Sequence, residues 1–282
     1  MEDYLKTILV LIGIFIIIPS LHSVYSSLTH TQFDTFDNRE NNEITIIIPS
    51  IYRKEKNYIN DTLSELYKQK QSNTKLNIFI HIGDYQHNKE YEISNSNSNS
   101  NSKNDIAFYI DDKFKRNPDV HILKTFKNEY GDLLKQISYE DGKNRMFWRS
   151  KMNLDYYFAI KKTLAEKKDK YILFLEDDQK AVKQWDNEIF KNIKIMKNDK
   201  HICHVKMSPL GTCAYLYNRN HMSDFADYIK SKYDEDPTDW LMDKFIKQTS
   251  LKRPNSHNFT FQHEGEVSSL VNKKQMLKVN GL

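Results

Sequence analysis

The chain has 282 residues, with 42 lysines and arginines against 38 aspartates and glutamates, and a formal net charge of +4. Charges so evenly mixed, without a basic stripe that alternates with aromatics, give no argument for a nucleic-acid partner. Two cysteines exclude a disulfide framework and leave open a single bridge between Cys203 and Cys213. No Cys/His cluster occurs, which argues against a structural zinc site.

The N-terminus carries an apolar run over residues 8–18 that ends at Pro19. Its length is near the lower limit for a membrane-spanning helix, so we interpret residues 1–25 as a signal anchor or a cleaved signal peptide. Either alternative delivers the rest of the chain to the secretory lumen, and the glycosylation sequons at Asn60 and Asn258 agree with that route. Residues 26–43 are polar and unpatterned, as expected of a stem or linker.

Strand and helix patterns alternate through the first half of the remaining chain. The patterns predict strands over residues 44–48, 76–82 and 120–123 and a helix over 58–69. Strand, helix and strand at this spacing predict a βαβ unit in a parallel sheet. Residues 94–102 alternate serine and asparagine and are expected to form a disordered insert, and residues 124–143 lack a clear period and are expected to form a long loop.

The second half continues the same alternation. It predicts helices over 147–166, 185–196, 222–232 and 237–248, and strands over 171–175, 202–207, 213–217 and 259–262. The predicted fold class is therefore α/β, with a mostly parallel central sheet flanked by helices. We place this domain at residues 44–272, followed by a tail over 273–282.

Three adjacent carboxylates follow one of the apolar strands. Residues 171–175 are all apolar, which is typical of a strand buried on both faces, and Glu176, Asp177 and Asp178 come directly after it. Ligands of open α/β sheets bind at the carboxyl ends of strands. Adjacent carboxylates repel one another unless a cation compensates them, and oxygen ligands suit Mg²⁺ or Mn²⁺. The functional hypothesis is a metal site for a phosphate-bearing donor, and the alternative is a solvated acidic turn.

Five patches of the chain match one family in the family's own order. They are Ile48-Pro49-Ser50 with Arg53, the block from Trp148 to Tyr156, the block from Leu175 to Asp178, the block from Pro237 to Leu241, and Phe261 to Gly265 with Ser268-Ser269-Leu270. On these motifs the chain resembles the catalytic domain of the N-acetylglucosaminyltransferase IV family. The resemblance implies a GT-A-like fold, a divalent metal (Mn²⁺ or Mg²⁺), UDP-GlcNAc as the donor, and inversion at the anomeric carbon.

The resemblance also implies an acceptor and a location. The acceptor would be a mannose of an N-glycan on a glycoprotein, and the catalytic domain would lie in the Golgi lumen on a membrane anchor, with the endoplasmic reticulum or secretion as alternatives. Two other functions stay open. One is a GalNAc transferase for the glycan of GPI anchors, whose family has a region similar to Gly211 to Arg219, and the other is a non-catalytic carbohydrate-binding protein of the same fold.

Candidate site residues follow from the motifs and the resemblance. Asp178 and His263 are the predicted metal ligands. Glu176 would orient the metal or the ribose. Asp177 is also counted among the cofactor-binding residues, but its side chain is expected to point away from those of Glu176 and Asp178. For His263 the alternative is a hydrogen-bonded histidine near the edge of the sheet. Arg53, just after the first strand, is a predicted nucleotide contact.

A helix face and a helix start supply the remaining candidates. Arg149 and Asn153 share one face of the predicted helix with Tyr156, so Arg149 is expected to contact the diphosphate and Asn153 the uracil or ribose, unless this is a solvated face. Asp239 lies at a predicted helix start, where the helix dipole stabilises a carboxylate, and is the candidate general base. The alternative role for Asp239 is that of an ordinary helix-capping residue, and Asp236 and Asp243 are the other candidates for the base. Core packing, rather than sugar stacking, is expected of Trp240.

Overall fold

The computed structural model describes residues 42–51, 53, 56–83, 109–135, 143–211 and 213–265. The signal segment (1–25), nearly all of the stem (26–43), the Ser/Asn insert (94–102) and the tail (273–282) lie outside these residues, and the domain boundaries therefore stay predictions. Within the described ranges, none of the helices is both long enough and apolar enough to span a membrane.

A six-stranded sheet lies at the centre of the described chain, with the strand order β3-β2-β1-β4-β7-β6. The first four strands run parallel, and β7 and then β6 are added antiparallel. A two-stranded antiparallel sheet pairs β5 with β8. The strands are β1 (Glu43–Ser50), β2 (Lys75–Gly83), β3 (Val120–Thr125), β4 (Tyr171–Leu175), β5 (Gln179–Ala181), β6 (His204–Lys206), β7 (Ala214–Asn218) and β8 (Phe261–His263). The predicted fold class, α/β with a mostly parallel central sheet, is confirmed.

Helices cover both faces of this sheet. They are α1 (Ile59–Gln69), α2 (Asp112–Lys115), α3 (Lys127–Tyr130), α4 (Lys143–Glu166), α5 (Trp185–Asn198), α6 (Arg219–Lys232) and α7 (Thr238–Thr249). One apolar cluster joins one face of the sheet to α1 and α5, and a second cluster joins the other face to α4, α6 and α7. The result is a three-layer arrangement of helices, sheet and helices.

The isoleucines of β1 explain why this strand is central. Ile46 and Ile48 belong to the cluster on the α1 side, and Ile47 between them belongs to the cluster on the α4 side. Successive side chains of a strand point to opposite faces, so an unbroken apolar run fits a strand that is covered on both faces. The apolar run of β4 divides in the same way between the two clusters, with Leu173 on one side and Phe174 on the other.

Three expectations from the sequence are wrong or incomplete. Residues 124–143 do not form one long loop, because β3 extends to Thr125 and is followed by α3 and a 3₁₀ turn at Leu133–Lys135. The Glu129 side chain accepts a hydrogen bond from the Phe126 N–H (2.7 Å), which starts α3. Strand β5 was not predicted, since three residues carry too short a pattern. Trp240 does not pack in the core, because it is 59% exposed on α7.

Candidate active site

The pairing of two short strands determines where the acidic triplet lies. Glu176 to Asp178 connect β4 to β5, and β5 pairs with β8 in a register that sets Gln179 opposite His263. The Glu264 N–H donates to the Asp178 carbonyl oxygen (2.9 Å), which continues this pairing by one residue. Asp178 and His263, which are distant in sequence, therefore meet beyond the carboxyl end of β4.

The side chains of Asp178 and His263 are in direct contact. His263 Nε2 lies 3.2 Å from Asp178 Oδ2. A Cβ atom at Gly265 would lie only 2.1 Å from the same Asp178 oxygen, so the close approach of the carboxylate requires a glycine there. Burial acts to lower the pKa of His263, but the bond to Asp178 and its negative charge outweigh burial and raise that pKa. For Asp178, burial is outweighed by His263 and Arg53, and its pKa is lowered.

Asp177 points to a different partner. Arg53 donates two hydrogen bonds to the Asp177 carboxylate, from Nη1 to Oδ2 and from Nη2 to Oδ1, both 2.8 Å long. Ser50 Oγ donates a third (2.6 Å). Arg53 Nη2 also lies 3.7 Å from Asp178 Oδ2. The arginine thus bonds the middle carboxylate of the triplet, reaches an outer one, and ties the end of β4 to the end of β1. The predicted nucleotide contacts of Arg53 and Asp177 stay predictions, and both side chains are engaged with each other.

Glu176 is held by two neutral donors. The Tyr156 hydroxyl donates to Glu176 Oε1 (3.0 Å), and the Cys213 thiol also bonds to this carboxylate. Burial, followed by the charge of Glu176, raises the pKa of Cys213 well above its usual range, so the thiol keeps its proton. Burial, followed by the charge of Asp178, raises the pKa of Glu176. Cys203 and Cys213 are both buried free thiols, so no bridge joins them.

The donor set fits a divalent metal of the magnesium or manganese type. Ligand atoms of Glu176, Cys213 and His263 lie within 4.8 Å of one another, and Asp178 contacts His263. Carboxylates suit Mg²⁺ and Mn²⁺, and imidazole is a common ligand of transition metals. Asp178 and His263 would hold the ion with Glu176 beside them, while the protonated Cys213 serves as a hydrogen-bond donor.

Arg149 and Asn153 point toward the segment that precedes α7. The Asn153 amide donates to the carbonyl oxygens of Tyr233 and Asp236 (both 2.8 Å) and accepts from Thr238 Oγ1 (2.5 Å). Arg149 Nη2 lies 3.3 Å from the carbonyl oxygen of Glu235. Both side chains therefore position the start of α7, and their predicted contacts with diphosphate and nucleoside stay predictions.

Asp239 lies exposed in the first turn of α7. The two other candidates for the general base are both engaged in ion pairs, Asp236 with Lys244 and Asp243 with Arg253. Asp239 makes no ion pair within the described part of the chain, and Trp240 beside it presents its ring to solvent. Asp239 is thus the carboxylate of the three that is available to a ligand.

Sequence reasoning did not assign roles to Tyr156 and Cys213 at this site. Tyr156 lies one turn after Asn153 in the block from Trp148, so the shared helix face was a usable signal. Cys213 carried no such signal, because its contact with Glu176 depends on the antiparallel pairing of β7 with β4. Through Tyr156 and Asn153, helix α4 connects the acidic triplet to the start of α7.

Fold and site together define an α/β protein of the GT-A-like class, with an acidic strand end beside a histidine. A family model described as the MGAT4 conserved region matches residues 14–281, and the chain belongs to this family. This confirms the family resemblance drawn from the motifs.

Curated relatives extend the comparison. Alpha-1,3-mannosyl-glycoprotein 4-beta-N-acetylglucosaminyltransferase A of Gallus gallus is 27% identical over 254 residues, which cover 83% of this chain and 45% of the relative. The enzyme of the same name from Xenopus tropicalis is 28% identical over 249 residues, covering 82% and 44%. Alpha-1,3-mannosyl-glycoprotein 4-beta-N-acetylglucosaminyltransferase B of Danio rerio is 27% identical over 293 residues, covering 97% and 51%. The chain spans about half the length of these relatives.

Proposed function

We propose that the protein is a metal-dependent, inverting glycosyltransferase that moves GlcNAc from UDP-GlcNAc to a mannose of an N-glycan on glycoproteins. The observation that carries this proposal is the contact of Asp178 with His263 at the end of β4, beside Glu176. The names of the relatives, which are N-acetylglucosaminyltransferases for mannosyl glycoproteins, support the choice of sugar and acceptor.

The strand end binds the donor diphosphate in this mechanism. UDP departs with two phosphates, and a divalent ion held at this site would supply a Lewis acid for the negative charge that develops on them. Asp178 and His263 would hold the ion, and the hydrogen bonds from Tyr156 and Cys213 fix the orientation of the Glu176 carboxylate beside them. The Arg53–Asp177 pair keeps the end of β4 fixed against β1, so the outer carboxylates do not have to be ordered when the donor binds.

Asp239 supplies the general base. Inversion requires that the proton of the acceptor hydroxyl be removed on the face opposite the departing UDP. Asp239 is exposed, carries no cation partner among the described residues, and lies at a helix start that Asn153 anchors through Thr238. The exposed ring of Trp240 offers an apolar surface to a sugar of the acceptor.

For the cellular location, the proposal is a Golgi membrane protein with a lumenal catalytic domain. This rests on the apolar run of residues 8–18 and on the two sequons. Asn258 is exposed, which fits a glycan acceptor, and its side-chain amide makes one long hydrogen bond to Glu188 (3.5 Å). The side chain of Asn60 makes two bonds, to the backbone of Tyr109 and Asp111.

Release of UDP from single sugar nucleotides tests the reaction. The full chain should release UDP from UDP-GlcNAc with a mannose-terminated N-glycan as acceptor and with Mn²⁺, and chelation should stop it. Asp178→Ala should abolish release while the protein stays folded, and Asp112→Ala, on the exposed helix α2, should leave it unchanged. Mass spectrometry of a glycan panel would then identify the acceptor.

The other outcomes separate the alternatives. Turnover with UDP-GalNAc alone would replace the proposal by the GPI-glycan transferase. Glycan binding without turnover of any sugar nucleotide would replace it by a non-catalytic carbohydrate-binding protein. An active Asp178→Ala variant would refute the assignment of the metal site.

A further inference from the structure

A polar cavity lies at the outer edge of the central sheet, and none of the acidic triplet or His263 is among its lining residues. Its volume is about 280 Å³, and it is lined by His204, Lys206, Tyr215, Arg253 and Asn255. Strand β6 is the last strand of the sheet, and residues 252–256 run beside it, with the Lys206 N–H bonded to the Pro254 carbonyl oxygen (3.0 Å). The buried side chains of His204 and Tyr215 line its inner part, while Arg253 and Asn255 are exposed.

Strand register brings these side chains to one face of the sheet. His204 pairs with Tyr217, and Lys206 pairs with Tyr215. Because alternate residues of a strand share a face, His204 and Lys206 point the same way as the two tyrosines. The rings of Tyr215 and Tyr217 lie 4.4 Å and 5.0 Å from the His204 ring, centroid to centroid, and hold the imidazole in place.

His204 is fully buried, yet neither of its ring nitrogens has a hydrogen-bond partner within the described part of the chain. A neutral imidazole always carries one N–H donor and one acceptor nitrogen. Buried polar groups nearly always have a hydrogen-bond partner. A buried imidazole that lines a cavity and has no partner therefore indicates a site for a polar ligand.

The charges at the cavity are predominantly positive. Lys206 forms no ion pair with any described residue, while Arg253 Nη1 is paired with Asp243 of α7. Among the described residues, no carboxylate lines the cavity itself. Burial, followed by the positive charges of Arg253 and Lys206, lowers the pKa of His204 to about 3.

We propose that this cavity binds a small oxyanion, either a phosphate group or a carboxylate group. Lys206 and Arg253 supply the positive charge, and the His204 imidazole and the Asn255 amide supply neutral donors. A cation is disfavoured by the two positive side chains, and an apolar ligand would leave the imidazole unpaired. The volume lies just below the range of ordinary ligand pockets, which limits the ligand to a free anion or a single acidic sugar. This inference does not depend on the proposed transferase activity.

Calorimetric titration of the full chain with inorganic phosphate, and separately with glucuronate, tests the proposal. Lys206→Gln should weaken binding of the preferred anion by about tenfold or more, since it removes a charged hydrogen-bond donor. His204→Phe, which keeps the ring size and removes both nitrogens, should weaken it as well. Lys252→Gln is the matched control, because this neighbouring lysine is exposed, pairs with Asp199 and does not line the cavity.

The nitrogen resonances of the His204 ring give a second readout that is independent of catalysis. Binding should shift them in the wild-type protein and in Lys252→Gln. Preference for phosphate over glucuronate would identify a phosphate site, and the reverse preference would identify a site for an acidic sugar. The proposal is overturned if neither anion produces heat or a ring shift, or if Lys206→Gln binds both anions as tightly as the wild type. If His204→Phe does not fold, Lys206→Gln and the ring shifts still decide the question.

Discussion

Replacing Arg53 by methionine should destabilise the fold strongly, because the arginine compensates a buried charge. Arg53 is 7% exposed and Asp177 is 3% exposed, and two hydrogen bonds of 2.8 Å join them. Methionine keeps much of the volume of arginine but leaves the Asp177 carboxylate in the interior with Ser50 as its remaining side-chain donor among the described residues. The perturbation therefore acts on the junction of β1 and β4.

The size of the effect follows from this burial. Removing one partner of a buried, hydrogen-bonded ion pair typically costs about 3–5 kcal/mol of unfolding free energy. For a domain of this size each kcal/mol lowers the melting temperature by about 2–4 °C, so Arg53→Met should melt roughly 6–20 °C below the wild type. Urea unfolding, followed by circular dichroism, would measure the free energy directly from the shift of the midpoint at an unchanged slope.

A surface arginine provides the control for this measurement. Arg116→Met removes an exposed partner of Asp112 and should change stability by about 0.5 kcal/mol or less. The double variant Arg53→Met with Asp177→Asn should be more stable than Arg53→Met alone, because the uncompensated charge is gone. Wild-type stability of Arg53→Met, or a double variant that is less stable than Arg53→Met, would refute the role of this pair.

The other predictions concern the site and acid stability. Tyr156→Phe removes one hydrogen bond to Glu176 and should lower kcat by roughly 10- to 100-fold, corresponding to about 1.5–3 kcal/mol, and an unchanged kcat would contradict the positioning of Glu176. Asp239→Asn should lower kcat by about 10²- to 10⁴-fold at an unchanged melting temperature, and activity close to wild type would remove its role as the base. Burial lowers the pKa of His81 to about 4 in the folded protein, whereas its pKa in the unfolded chain is about 6.5. Between pH ~4 and ~6.5 His81 is therefore protonated in the unfolded chain and neutral in the folded protein. The free energy of unfolding is therefore highest above pH ~6.5, and it should fall by about 3 kcal/mol on account of His81 as the pH is lowered to ~4. His81→Gln, which can still bond Thr125, should flatten the dependence in urea titrations at several pH values, and an equally steep dependence would rule out His81 as its source.

Local patterns predicted most of the fold, because each element had to bury a recognisable face. The isoleucines of β1 and the apolar residues of β4 indicated strands covered on both sides, and both are central in the sheet. The start of α7 was predicted from Pro237 and its acidic neighbours, and the helix begins at Thr238. Short elements were not predicted, since the three residues of β5 are too few to show an alternating pattern.

The residues of the candidate site could largely be predicted from the sequence, but their contacts with one another only in part. The order of residues indicated that Glu176 to Asp178 end a buried strand, and the family motifs indicated His263. Trp240 was expected in the core because aromatic residues are usually buried, yet its position on α7 turns it to solvent. The nucleotide contact of Arg53 stays a prediction, and its bond to Asp177 became visible only in the structure.

By itself, the sequence determined which segments are strands and helices, and that three carboxylates follow an apolar strand, because these properties depend on residues close together in the chain. Only the tertiary structure decided the partner of each carboxylate. Asp178 meets His263 through the β5–β8 pairing, Asp177 meets Arg53 just beyond the end of β1, and Glu176 meets Tyr156 and Cys213. The physical reason is that these partners lie on different elements. The strand register and helix packing that bring them together are properties of the whole sheet.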